Sequence, residues 1–277
     1  MSNMKIIHYE PKSILVKSKL PNVDYVINPY IGCSFGCTYC YAKFTLNRVN
    51  KNINDWDKCI YIKDKIDKLL PKELQKIKNN SNTNIVISSS TDAWQHIEET
   101  TKNTQLALNM LLESGYKGKI SILTKSPLIL RDIDLLKQFK RLLIGITITS
   151  LDRDNITKAL NHNTPLQSER LNTLEQLYKN GFNVYVFMAP LLPHLLYNLE
   201  IIEELLQKIK NIGVNTLFVD GLKYSYNIKT QVMKEILRIS ISNKNYKLYN
   251  NFNPDLRMTL KNKINSLIKL YKFDYIF

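Results

Sequence analysis

Asn28-Pro29-Tyr30-Ile31-Gly32-Cys33-Ser34-Phe35-Gly36-Cys37-Thr38-Tyr39-Cys40-Tyr41-Ala42 sets the frame for the whole chain. Three of the four cysteines fall here, spaced C-x3-C-x2-C. A loop that short can wrap three thiolates around one soft metal centre, and Gly32 and Gly36 let its backbone turn tightly. Iron–sulfur clusters take one cysteine thiolate per iron, so a four-iron cubane held by three local cysteines keeps one iron open for another ligand. Other readings stand beside this one. Free cysteines are often small buried hydrophobes, which leaves the spacing between glycines unaccounted for. A zinc site needs a fourth ligand, and the nearest histidines, His8 and His96, are distant in sequence. A disulfide framework is disfavoured in a chain of 277 residues with four cysteines.

Working outward, the length and a hydrophobic content of 44% allow one large α/β domain or two small ones. No apolar run reaches the length of a membrane span. Residues Met1 to Tyr9 lack a signal-peptide pattern. A cluster of thiols without a secretion signal predicts a reducing, cytoplasmic setting. The net charge of +15 favours a polyanionic partner: nucleic acid, a phosphorylated substrate or an acidic protein. The same excess of Lys, Asn and Ile is what an AT-biased genome produces, and the lysines are spread over helices. Charge alone therefore leaves nucleic-acid binding open.

Along the chain, Ile14–Val16 reads as an outer strand and Asp24–Ile31 as the buried strand that delivers the cysteine loop. Residues 43–60 are polar and irregular, with Trp56 and Cys59. Lys63–Lys78 has helical spacing interrupted at Pro71. An alternation follows. Strands are predicted at Asn84–Ser88, Lys119–Thr124, Leu142–Thr149, Asn183–Met188 and Val214–Val219. Helices are predicted at Thr101–Ser114, Leu128–Phe139, Gln167–Lys179 and Leu199–Ile212. With the cysteine-loop strand this makes six strands with helical crossovers, the pattern of a parallel sheet. Six units are too few for a complete eightfold barrel, and a doubly wound open sheet fits the pattern as well. Lys229–Ile241 and Asp255–Leu270 read as two helices joined by an Asn- and Tyr-rich loop. The aromatics Tyr246, Tyr249, Phe252, Tyr271, Phe273 and Tyr275 fit either helix packing or a stacking platform.

In parallel α/β barrels ligands gather beyond the C-terminal ends of the strands. The residues there are Ser88-Ser89-Ser90-Thr91-Asp92, Thr124-Lys125-Ser126, Thr149-Ser150, Ala189-Pro190 and Asp220-Gly221. This is a polar set with hydroxyls, one lysine and two carboxylates. For Lys125 the alternative is an ordinary solvated surface lysine.

The cysteine stretch resembles the cluster loop of the radical S-adenosylmethionine (radical SAM) superfamily. The longer form N-P-Y-x-G-C-x-x-G-C-x-Y-C-Y-A resembles its spore-photoproduct-lyase-like branch. Ser90-Thr91-Asp92-Ala93-Trp94-Gln95-His96-Ile97-Glu98 is similar to the branch pattern N-T-D-P-Y-Q-x-x-E. Thr124-Lys125-Ser126-Pro127-Leu128-Ile129-Leu130-Arg131-Asp132 is similar to T-K-S-x-L-x-L-R-D. Thr147-Ile148-Thr149-Ser150-Leu151-Asp152 and Ala189-Pro190-Leu191-Leu192-Pro193 match two further patterns. The matches run from about residue 24 to 220.

The resemblance implies an open, partial TIM-type barrel of about six parallel strands with a helical C-terminal extension. It implies a lead-in segment over 1–23, the core over 24–225 and the extension over 226–277. Cys33, Cys37 and Cys40 would bind a 4Fe–4S cluster whose open iron is chelated by S-adenosylmethionine. Tyr39, Tyr41, Ser90, Thr91, Asp92, Lys125, Thr149 and Ser150 would hold that cofactor, with Tyr39 on its adenine and Lys125 on its carboxylate. The activity implied is reductive cleavage to methionine and a 5′-deoxyadenosyl radical that abstracts hydrogen from a substrate. An electron donor such as flavodoxin or ferredoxin would be the partner. The chain departs from the branch in places. The lyases that give the branch its name carry a hydrogen-donor cysteine where Ser89 stands, and a serine O–H bond is far too strong for that step. His194 stands where a glycine is usual. Cys59 fits a buried hydrophobe, a redox residue or a fourth ligand. Two rival functions remain: a non-catalytic nucleic-acid-binding protein with a structural metal, and a radical SAM enzyme acting on a peptide or small molecule.

Overall fold

The computed structural model describes residues 4–56, 58–77, 81–222, 226–239 and 243–276. The expected helix ends at Lys78 and Ile241, the expected boundary at residue 225 and the side chain of Tyr275 lie outside them. Among the described residues the strands are β1 Lys5–Tyr9, β2 Leu15–Lys17, β3 Tyr25–Ile27, β4 Tyr30–Ile31, β5 Cys59–Lys63 and β6 Asn84–Ile87. They continue as β7 Lys119–Thr124, β8 Leu142–Thr147, β9 Val184–Leu191, β10 Thr216–Gly221 and β11 Asp274–Ile276. The main sheet has the order β11-β10-β9-β8-β7-β6-β3-β2, and a second sheet the order β1-β5-β4. Seven strands of the main sheet, β3 to β11, are parallel; β2 pairs antiparallel with β3. The fold class is the partial TIM-type barrel with helical C-terminus, with one parallel strand more than the six read from the sequence.

Two compact units divide the chain. The first contains the residues up to Gly36, with 42–145 and 181–183. Here β3, β6 and β7 carry fully buried Ile27, Ile85, Ile87 and Ile120. The helices Ile66–Leu74 and Asn103–Glu113 cover this side with Leu70, Leu74, Leu108 and Leu111. The second unit contains 37–41, 146–180 and 184–277. Its helix Leu199–Ile212 buries Ile201, Ile202, Leu205, Leu206 and Ile209, a stripe at helical spacing. That helix ends on Gly213 at φ +99°, a left-handed cap where a Cβ would also strike the Tyr178 ring at 2.7–2.8 Å.

Several expectations are corrected. The single strand Asp24–Ile31 is two strands in two sheets. Pro29 has no N–H for the ladder; its carbonyl accepts from Lys63 N at 3.1 Å, and β4 pairs with β5. The segment taken as irregular contains the 3-10 helix Tyr41–Val49, and Cys59 opens β5. The helix Ile66–Leu74 runs through Pro71 rather than stopping there. Residues 128–139 form the 3-10 helix Pro127–Asp132 followed by one helical turn, Ile133–Leu136. Ala189-Pro190 and Asp220-Gly221 belong to β9 and β10 instead of following them. The Asn- and Tyr-rich segment is a helix, Asn243–Asn251, and the chain closes with β11 beside β10. Tyr249, Phe252 and Phe273 are buried, so their share of the aromatic cluster is packing.

β5 carries Lys63, which is 6% exposed. Burial, then the nearby Arg48 guanidinium, push its ammonium down to about 8, against the pull of Glu73. The unfolded chain therefore binds more protons than the folded one between about pH 8 and 10.5, and stability rises with pH across that window. Lys63→Met is expected to raise stability at neutral pH and to flatten that rise. Urea unfolding measured on both sides of the window checks it, and an unchanged pH slope refutes it.

Candidate functional site

In the first unit β4 runs directly into the cysteine loop. Gly32 has φ +89°, and a Cβ there would lie 2.6 Å from the Cys59 carbonyl oxygen, so the backbone passes where a side chain cannot follow. Cys33, next in the chain, is buried. Its two neighbours are gripped by one side chain. Gln95, fully buried, accepts from Ser34 N through Oε1 at 2.6 Å and donates through Nε2 to the Gly32 carbonyl at 3.4 Å. Gln95 Nε2 also donates to Thr91 Oγ1 at 3.0 Å, and the Thr91 hydroxyl donates to the Gly32 carbonyl at 2.6 Å. A turn bond from Gly36 N to the Cys33 carbonyl closes this half of the loop at 3.2 Å.

The residues around Gln95 are fixed by a buried charged network. Glu98 accepts from Tyr30 OH, from Thr104 N at 2.8 Å and from the Arg131 guanidinium at 2.9 Å. Burial, then the Glu98 carboxylate, raise the Tyr30 phenol well above its ordinary range, so it stays a donor. Arg131 also donates to both Asp132 oxygens, at 2.9 and 3.0 Å. Asp132 further accepts from Trp94 Nε1 at 2.8 Å and Gln105 Nε2 at 2.5 Å.

Asp92 sits beside this network with its carboxylate occupied. It accepts from Trp94 N at 3.0 Å, Thr124 Oγ1 at 2.7 Å and Lys125 N at 2.8 Å. Burial pushes its carboxyl up, opposed by those same bonds from Thr124, Lys125 and Trp94. Asp92 thereby ties the end of β6 to the end of β7 and fixes the backbone of half-buried Lys125. Ser90 N donates to Asn28 Oδ1, and Asn28 Nδ2 to Ser89 Oγ, both at 2.9 Å.

The second unit holds the rest of the loop. Cys37 is buried, Cys40 half-buried, and Cys40 N donates to the Cys37 carbonyl at 3.1 Å. Between them, Thr38 N donates to the Leu160 carbonyl at 3.0 Å and the Tyr39 hydroxyl to Asn161 Oδ1. Tyr39 is buried, whereas Tyr41 is 65% exposed. At the end of β8, Thr149 N donates to Gln167 Oε1 at 3.3 Å, and the Ser150 hydroxyl to Asp154 at 2.5 Å. Burial would raise the Asp154 carboxyl, but bonds from His194, Ser150 and Thr157 hold it well below the usual carboxylate range.

The donor chemistry fits an iron–sulfur cluster. Cys33, Cys37 and Cys40 lie on one short stretch of chain, with tight turns between them. Among the described residues no three His, Cys, Asp or Glu side chains are arranged around a single ion. A cubane spreads its thiolates over separate irons, so it does not ask them to meet at one point. Cys59 is buried in β5, and burial pushes its thiol up, the behaviour of a packing residue rather than a thiolate ligand.

Gln95, Glu98, Arg131 and Asp132 stand in the sequence only as letters of a pattern. The burial of Gln95, Glu98 and Asp132 is the missing signal, since a polar residue beyond a strand looks the same in sequence whether solvated or enclosed. Asp154 carried no local signal, and Tyr249 stood out only as one of an aromatic cluster.

A family model described as the radical SAM superfamily matches residues 27–209. An uncharacterised protein of Methanocaldococcus jannaschii is 35% identical over 195 residues, covering 70% of this chain and 71% of that one. An uncharacterised protein of Mycobacterium bovis is 28% identical over 220 residues, covering 76% of this chain and 64% of that one. Among solved structures, spore photoproduct lyase complexed with dinucleoside spore photoproduct aligns with a TM-score of 0.72 at 16% identity, covering 96% of this chain and 79% of that one. A mutant of that lyase with bound AdoMet and dinucleoside spore photoproduct aligns at 0.70, with the same identity and coverage. At that identity the likeness concerns the fold. Among the described residues no helix is long and apolar enough to cross a membrane.

Two substitutions probe the scaffold. Gln95→Leu keeps the volume but strands the Ser34 amide, while the Gly32 carbonyl keeps its bond from Thr91, and is expected to cost about 1–3 kcal/mol. The loss should be accompanied by faster amide exchange at Ser34, and wild-type exchange there would contradict the bracket. Arg131→Met leaves Glu98 and Asp132 enclosed without their cation, and is expected to cost about 3–5 kcal/mol. Arg131 is 23% exposed, which places the expectation at the low end. Denaturant unfolding measures it, and a loss below about 1 kcal/mol would mean the network is slack.

Proposed function

The chain belongs to the radical SAM superfamily and is an enzyme of that superfamily, and we propose from that premise that Cys33, Cys37 and Cys40 hold a 4Fe–4S cluster that takes S-adenosylmethionine at its open iron. When bound, the pair supplies reductive cleavage of the sulfonium to methionine and a 5′-deoxyadenosyl radical able to abstract hydrogen. The observation that carries this reading is the double grip of Gln95 and Thr91 on the backbone flanking Cys33. A loop that must present thiolates to a cluster gains from having its backbone set in advance.

In this proposal the chain's own residues bind, orient and exclude water. Lys125 offers the cation for the cofactor's carboxylate, its backbone held by Asp92. Asp92 acts through that hold and through Thr124, because its oxygens already accept three bonds. Tyr39 presents a ring fixed at its hydroxyl by Asn161, suited to stack on an adenine. Tyr41, Ser90, Thr91, Thr149 and Ser150 complete the set. Residues 24–225 form the catalytic core in this assignment, 1–23 a lead-in and 226–277 an extension.

Enzymes of the superfamily need a reductant; a one-electron carrier such as flavodoxin or ferredoxin is proposed here. A reducing, cytoplasmic setting is proposed with it, since the cluster ligands must remain thiols. For the substrate, the net charge of +15 supports an anionic one, nucleic acid among them.

Anaerobic reconstitution with iron and sulfide, followed by dithionite and S-adenosylmethionine, tests the assignment. Wild type is expected to gain cluster absorbance and release 5′-deoxyadenosine. Cys33→Ala is expected to lose both, and Lys125→Met to weaken cofactor binding at least tenfold, the factor of a charged hydrogen bond. Wild-type protein that shows neither absorbance nor 5′-deoxyadenosine overturns the reading.

A further inference from the structure

Within the second unit a continuous set of buried hydrogen bonds connects the Cys37–Cys40 turn to the helix Asn243–Asn251, which precedes the last helix, Pro254–Leu270. It starts with Thr38 N on the Leu160 carbonyl at 3.0 Å and the Tyr39 hydroxyl on Asn161. Leu160 ends the short helix Asn155–Leu160, and Asn161 Nδ2 donates back to the Thr157 carbonyl at 2.8 Å. Asp154 caps the other end of that helix, accepting from Thr157 N at 3.0 Å and from its hydroxyl at 2.6 Å.

The cap is itself held. His194 Nε2 lies 2.8 and 3.0 Å from the Asp154 oxygens. An ionised carboxylate only accepts, so Nε2 carries the hydrogen and donates. His194 Nδ1 lies 2.8 Å from the hydroxyl of Tyr249, on the helix Asn243–Asn251. Tyr39, Asn161, Thr157, Asp154, His194 and Tyr249 are each at most 7% exposed, so no water competes for these bonds. The helix Asn243–Asn251 also buries Leu248. A further contact with the 3-10 helix Pro193–Tyr197, which carries His194, is Lys244 Nζ over the Tyr197 ring at 4.1 Å.

We propose that His194 and Tyr249 are positioning residues. They hold Asp154 in its capping position; the capped helix sets the Thr38–Tyr39 turn; and the helix Asn243–Asn251 thereby governs the order of the segment that carries Cys37 and Cys40. An N-cap that loses its partner weakens the helix it starts, and a buried carboxylate without its donor is costly. This is the physical link by which a tail outside the matched family region reaches the cysteine loop. The consequence for cofactor binding rests on the function proposed above; the mechanical coupling does not.

Amide exchange on the full chain without added cofactor tests the coupling, using Tyr249→Phe and His194→Gln. Tyr249→Phe removes one oxygen and keeps the ring, and His194→Gln keeps a donor for Asp154. The expected result is exchange about fivefold faster or more at residues 37–41 and 155–161 in Tyr249→Phe, the factor of one buried hydrogen bond. His194→Gln should show a smaller effect at 37–41, and β10 should stay at the wild-type rate in both. Wild-type exchange at 37–41 while the helix Asn243–Asn251 loosens overturns the proposal, and so does a general rise that includes β10. In the reconstituted protein Tyr249→Phe is expected to raise the Kd for S-adenosylmethionine about fivefold as well. A wild-type chain that binds no S-adenosylmethionine overturns the proposed function alone and leaves the exchange result standing.

Discussion

A single buried carboxamide holds the chain on both sides of Cys33. Gln95 must satisfy an acceptor and two donor hydrogens without water, and it does so on Ser34, Gly32 and Thr91. An unsatisfied amide at that depth costs more than a satisfied one contributes. The backbone flanking Cys33 is therefore pinned by the side chain's own need for partners. Gly32 completes the constraint, because the same stretch passes against the Cys59 carbonyl where a Cβ has no room.

Gln95 can serve this way only if its own segment is rigid, and charge supplies the rigidity. Tyr30, Trp94, Glu98, Arg131 and Asp132 come from three separated stretches and bond to one another in the interior. Each carboxylate meets donors on both oxygens, the condition under which buried charge is tolerable. Titratable residues near strand ends commonly suggest ligand contact. Here most of them build the frame, and Asp92 fixes the backbone of half-buried Lys125 in the same way.

The second unit repeats the strategy with different residues. Asp154 is a helix cap, an acceptor for Ser150 and the partner of His194 at once. A carboxylate with that many donors stays ionised, and its ionisation fixes the His194 tautomer that leaves Nδ1 facing Tyr249. The residue that departs from the resembling glycine pattern is thus the one that reaches the helix Asn243–Asn251.

The cysteine spacing, the alternation of strands with helices and the parallel sheet were determined by the sequence by itself. The β-branched runs at 84–87, 119–124 and 142–147 are legible locally, and the structure pairs them as strands of the main sheet. Local pattern misplaced the Asn-rich helix 243–251, because Leu248, Tyr249 and Phe252 override its poor intrinsic propensity only once there is a surface to bury them. It also missed β1, β5 and β11, which are strands because they find a neighbour to pair with. Tertiary structure alone decided that Asp92, Gln95 and Glu98 direct their polar atoms at the chain rather than at a ligand, and that His194 faces Asp154 and Tyr249. Periodicity specifies which side of an element is enclosed. It carries no information about which distant group waits there, and hydrogen bonds spanning sixty residues of sequence are set by that alone.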